Sequence, residues 1–150
     1  MKLAEALLQR ADLQKRLMQL RSRLILNAKV QEGEKPAEPP VLLLKELAEM
    51  TAQLETLITK INLTNAIALD DGSSMTALLA RRDCLRMKAE SMRDFLDAAS
   101  ETVMRSTKTE VIVRSTVEVP ELRRQTDALS KELRDLDLRI QALNWTTELI

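Results

Sequence analysis

The chain of 150 residues contains no histidine and no tyrosine, one tryptophan, one phenylalanine, one cysteine and two glycines. Each shortage closes a class of function. Without histidine, no side chain has an ordinary pKa near neutrality, and the commonest general base and metal ligand is missing. Two glycines cannot build a phosphate-cradling loop, and no nucleophile can be paired with a histidine base. The single Cys84 forms no intrachain disulfide, so nothing calls for an oxidising compartment, and it reads as a small apolar helix residue. Sandwiches, barrels and propellers need many aromatic and turn residues, which 1% aromatics and four prolines do not supply. Twenty-three basic against 23 acidic residues give zero net charge, which argues against a wholesale electrostatic nucleic-acid binder. The densest basic run (Arg81, Arg82, Arg86, Lys88) is diluted by Asp83 and Glu90, and Arg123–Arg124 by Glu121 and Asp127. Neither has an aromatic platform, and both read as solvated faces. Long apolar runs are also missing. Glu5 and Arg10 interrupt the first ten residues, and the uncharged stretch near mid-chain, Ile61 to Leu69, contains Asn62, Thr64 and Asn65. A spanning helix needs about 20 predominantly apolar residues. A soluble, cytoplasmic protein is expected.

What the chain does have is helical periodicity. Apolar residues recur at alternating spacings of three and four, which puts them on one face of a helix. The first seam reads Leu3, Ala6, Arg10, Leu13, Leu17, Leu20, Leu24, Asn27. The second reads Leu44, Leu47, Thr51, Leu54, Ile58, Ile61, Asn65, Ala68. The third reads Met75, Leu78, Arg82, Leu85, Ala89, Met92, Leu96, Ala99, and the last Leu122, Thr126, Leu129, Leu133, Leu136, Ile140, Leu143. Extra apolar residues such as Leu7, Leu43, Met50, Leu57 and Leu79 widen these coiled-coil-like stripes, which suits a multi-helix bundle. Residues 30–39 carry Gly33, Pro36 and Pro39 and read as a loop, with Pro40 opening the second helix. Asp70-Asp71-Gly72-Ser73 reads as a turn, with Ser73 or Ser74 as N-cap of the third helix. Pro120 starts the last helix. Helices 1 and 2 would each run about 28 residues, or roughly 42 Å.

One segment breaks the pattern. From Thr109 to Val119, Val111, Val113, Ser115, Val117 and Val119 alternate with Glu110, Ile112, Arg114, Thr116 and Glu118, the signature of a strand. A lone strand leaves its backbone groups unpaired. Residues 101–107 can complete a hairpin, or the same strand of another subunit can pair with it; the two options are compatible in an oligomer.

Four polar residues, Arg10, Asn27, Asn65 and Arg82, interrupt the seams. Such residues fix register or snorkel to the edge, and alternatively line a polar pocket where arginines hold an anion. Carboxylates one turn apart (Glu46 with Glu49, Asp94 with Asp97, Glu132 with Asp135) resemble Mg²⁺ ligand sets of all-helical nucleotide hydrolases, but lie mainly off the seams. Trp145 follows the last seam in an apolar tail that reaches Leu149 and Ile150. Either the tail packs on its own bundle or Trp145 anchors another subunit.

Several stretches together resemble a known family: Arg10-Ala11-Asp12-Leu13-Gln14-Lys15-Arg16, Asn27-Ala28-Lys29-Val30-Gln31-Glu32-Gly33, Ile61-Asn62-Leu63-Thr64-Asn65, Ala128-Leu129-Ser130-Lys131-Glu132-Leu133 and Leu143-Asn144-Trp145-Thr146-Thr147-Glu148-Leu149. They are similar to small, helix-rich bacterial proteins, some of which carry the label septicolysin. The label implies a pore-forming cytolysin. The resemblance brings no catalytic or ligand residues.

The expectation is therefore a mainly α protein, one domain over residues 1–150. It is an elongated antiparallel bundle of four long helices, with a short β-strand or hairpin at about 102–119 between helices 3 and 4. Its expected role is a non-enzymatic, homo-oligomeric assembly or interaction protein with no cofactor and no metal. Interface residues would be Val111, Val113, Val117, Trp145 and Leu149. The alternatives are a membrane-active cytolysin-like protein and a Mg-dependent helical nucleotide hydrolase.

Overall fold

The computed structural model describes residues 1–101 and 113–150. It contains four helices: α1 (Leu3–Leu26), α2 (Pro40–Ala66), α3 (Met75–Ser100) and α4 (Val119–Thr146). Their ends follow the local chemistry. At α1, the Lys2 N–H donates to the Glu5 carboxylate at 2.7 Å, which satisfies one orphan donor of the first turn. Pro40 occupies the first position of α2, where its missing N–H costs nothing. Ser74 caps α3, its hydroxyl accepting from the Ala77 N–H at 3.2 Å. Gly72 takes φ +76° in the turn ahead of it, a conformation that favours glycine.

The chain divides into two compact units, Met1–Leu69 with Gln141–Ile150, and Asp70–Ile140. In the first, α1 and α2 form a hairpin. Arg23 reaches Glu46, while Gln9 and Leu13 share a cleft with Gln53, Leu57 and Lys60, so the two helices run antiparallel. Leu20, Leu43 and Met50 form the buried cluster, and Leu13, Leu17, Leu24 and Leu47 pack against it. Every residue of the first predicted seam is buried or half-buried.

The seam of α2 needs correction by one residue. Leu43, Met50, Leu57, Ile61 and Thr64 are buried, with Leu47 and Leu54 half-buried, whereas Leu44 and Thr51 are exposed and Ile58 and Asn65 only half-buried. The row facing α1 is therefore 43, 47, 50, 54, 57, 61, 64. The apolar stripe of α2 is wide enough to satisfy the three-four spacing in two phases, and contact with α1 selects one.

The first unit also holds the chain ends together. Lys2 and Glu148 form a single antiparallel bridge, with Leu3 N–H donating to Thr147 C=O and Leu149 N–H to Met1 C=O, both at 2.9 Å. The Ile150 N–H donates to the Thr64 hydroxyl at 3.2 Å.

In the second unit, Arg81 of α3 pairs with Glu132 of α4 at 2.7 Å, and Asp71, just ahead of α3, pairs with Arg139 at 2.6 Å. The two contacts run in opposite senses along the chain, so α3 and the part of α4 in this unit are antiparallel. The third and fourth predicted seams are buried or half-buried throughout. Thr126 is satisfied by donating to Leu122 C=O at 2.8 Å.

The predicted β element is not supported. Residues 113–118 hold no strand, and α4 begins at Val119. The Ser115 hydroxyl donates to Val117 C=O and accepts from its N–H, a local turn that occupies backbone groups a ladder would need. The remainder of that prediction, Val111 and the pairing segment at 102–107 included, lies outside the described residues. No strand occurs among the described residues.

Candidate functional site

The polar residues of the seams have different surroundings. Asn27 is buried and acts as a latch. Its Oδ1 accepts from the Glu38 N–H and its Nδ2 donates to Arg23 C=O, both at 2.9 Å. Arg23 grips Glu38 at 2.5 Å and also reaches Glu46 at 3.3 Å. These contacts fold the 27–39 loop back across the hairpin. The Arg23 guanidinium holds Glu38 below the usual carboxylate range, and Glu38 raises Arg23 in turn. Spacing alone marks Asn27 as a seam residue; its distant partner, Glu38, comes from the loop it precedes.

Arg82 turns to its neighbour Asp83 at 2.8 Å. Asn65 is half-buried beside the buried Thr64. Arg10 is half-buried, and its Nε has no solvent exposure and no hydrogen-bond partner among the described residues. Arg10 belongs to α1 and the first unit, Arg82 to α3 and the second.

The acidic pairs are partly consumed by arginines: Glu46 by Arg23 and Glu132 by Arg81. Among the described residues, no three His, Cys, Asp or Glu side chains stand close enough to share a metal ion. Cys84 lies in α3, off the buried row, and is exposed. Among the described residues, the Asp71 carboxyl is held well below its usual range. The Ser73 hydroxyl donates to it at 2.6 Å, and with Arg139 and the Ser73 N–H it depresses the pKa to about 2.

The first unit carries an open cleft of about 510 Å³ between α1 and α2. Leu13 and Leu57 form its floor, and Gln9, Gln53, Thr56 and Lys60 its polar rim. The rim offers hydrogen bonds and one cation but no pair of groups poised for acid–base work.

The other predicted contact residues are surface features. Val113 is 63% exposed and Val117 half-buried, ahead of α4. The tail is docked through its backbone, but Trp145 is not. The indole is 59% exposed and Ile150 58%, while Leu149 is half-buried at the edge of the cleft. The tail thus docks on its own unit through residues 147–150, with the indole left more than half exposed. The bridge to Lys2 fixes the strand-like tail beyond the indole and leaves the ring facing out.

Residues 10–149 match a family described as a family of unknown function, DUF6847. The chain belongs to that family. A comparison with curated proteins finds no match. Among solved structures, the chain is similar to one described as a functionally unknown conserved protein from Corynebacterium diphtheriae. The two share 39% identity over 100% of this chain and 99% of the other, with a TM-score of 0.85. Neither description mentions a cytolysin, and the DUF6847 match brings no activity with it. Among the described residues, no helix is long and apolar enough to cross a membrane.

Proposed function

We propose that this DUF6847 protein is a non-enzymatic assembly or interaction protein that works as a homo-oligomer. The observation that carries the reading is Trp145. Tryptophan is a common interface anchor, and an exposed ring on an ordered segment loses little conformational freedom on binding. Here the ring stands on the last turn of α4, directly ahead of residues held by the Lys2–Glu148 bridge. The exposed Val113 supplies a second apolar contact. The exposed thiol of Cys84 fits a reducing, cytoplasmic setting.

Light scattering on a sizing column across a dilution series tests the proposal. The expected result is a stable multiple of 17.0 kDa, reduced by Trp145→Ala and by Val113→Lys. A monomer at every concentration would overturn it.

A further inference from the structure

The cleft between α1 and α2 is chemically one-sided. Leu13 and Leu57 lie along its floor, Ala52 flanks them, and Met1 and Leu149 stand at the end where α1 begins. Its remaining side chains are Gln9, Gln53, Thr56 and Lys60, and no carboxylate is among the residues that line it. The Glu148 carboxylate next to Leu149 is taken up by Lys2 and the Met1 ammonium. Lys60 is exposed and has no ion-pair partner among the described residues. The Gln9 and Gln53 amides have no hydrogen-bond partner among them either. The register set by Arg23 and Glu46 puts Gln9 level with Lys60, and Gln53 seven residues away, about 10 Å along the hairpin axis.

We propose that this cleft binds a small anionic amphiphile, an apolar chain of about eight carbons with a carboxylate head. Size is the first argument. A volume of about 510 Å³ falls within the range of small-molecule sites, which combine an apolar lining with a few placed polar groups. An extended chain advances roughly 1.2 Å per single bond, so such a molecule covers about the 10 Å between Lys60 and Gln53.

Charge is the second. An ammonium with no internal partner favours an anion, and the Gln9 amide level with it can donate a further hydrogen bond to the anion's oxygens. A single cation matches a single carboxylate. A polyphosphate needs several cations or a nest of backbone N–H groups, and the residues lining this cleft supply one lysine and helical backbone. The adjoining cleft of about 460 Å³ shares Gln9, Leu13 and Gln53 but adds Asp12 beside Arg16. The Asp12 carboxylate makes it the poorer place for an anion, so the head group belongs at Lys60 and the chain over Leu57 and Leu13. The cleft lies within the first unit of one chain, so this inference does not depend on the assembly reading.

The experiment is a titration of the full chain with sodium octanoate, followed by ¹H–¹⁵N NMR. The expected result is saturable shifts of the Gln9 and Gln53 side-chain amides. Lys60→Glu should raise the dissociation constant roughly threefold to tenfold, as for an exposed ion pair exchanged for repulsion. Ala52→Trp should fill the groove and abolish the saturable shifts. Octanol, with the same chain and no charge, should bind more weakly than octanoate. Both substitutions are at exposed positions, and circular dichroism confirms that each variant is helical. Shifts that rise without saturating overturn the site. Saturation that persists in Ala52→Trp also overturns it, because binding is then elsewhere. Equal affinity for octanol, or an unchanged constant in Lys60→Glu, overturns the contact of the carboxylate with Lys60 and with it the ligand class.

Discussion

Asp71 shows how one residue can tie a turn to a distant helix. Its carboxylate accepts from the Ser73 hydroxyl and N–H and pairs with Arg139 on α4. These donors stabilise the charged form, so the folded-state pKa falls to about 2 from an unfolded value near 3.8. The contribution to stability is fully present above the unfolded pKa and is lost as pH falls through about 2. Asp71→Asn should therefore lower the melting temperature at pH 7, and the gap to wild type should close as the solution is acidified toward pH 2. A constant gap across that window would mean the carboxylate makes no such contacts. The Asp-Gly-Ser turn is legible in the sequence; the distant Arg139 is not, because its approach depends on how α4 packs.

At the scale of the element, α2 is the informative case. Leu43 is 2% exposed and Leu44 55% exposed, although the two are adjacent leucines in the same stripe. Leu43→Ala should cost about 2–5 kcal/mol, the range for a truncated core leucine. Leu44→Ala should change the stability of the monomer by less than about 0.5 kcal/mol, as expected of a surface position. Chemical denaturation at a concentration where the chain is monomeric separates them, and equal effects would restore the original phase. In α1, α3 and α4 the row read from the three-four spacing is the row that is buried or half-buried. Between α3 and α4, alternating valines suggest a strand, yet Ser115 closes a turn on Val117 and Val119 enters the helix. Alternation is a statement about side chains, and a strand also needs a backbone partner.

At the scale of the whole chain, the sequence ends meet in the first unit. The buried Thr64 hydroxyl donates to Lys60 C=O and accepts from the Ile150 N–H. Thr64→Val keeps the shape and removes the acceptor, so it should cost about 1 kcal/mol, the usual value of one such bond. Hydrogen exchange should show the Leu149 and Ile150 amides protected in the wild type and Ile150 faster in the variant. Equal rates would contradict a docked tail. The same tail presents Trp145 to solvent on the first unit, whereas Val113, the other proposed contact, belongs to the second.

The sequence by itself determined the four helices, most of their ends and three of the four buried rows, because spacing, proline and capping chemistry are local. It also removed histidine-based catalysis and glycine-rich phosphate loops, since a missing residue type is missing from every fold. Tertiary structure alone decided the phase of α2, the latch of Asn27 on Glu38 and the exposure of Trp145. Each of these depends on a partner 11 or more residues away in the chain or on the lack of one at the surface. Periodicity gives the direction of a helix face; only packing fixes which neighbouring element occupies it.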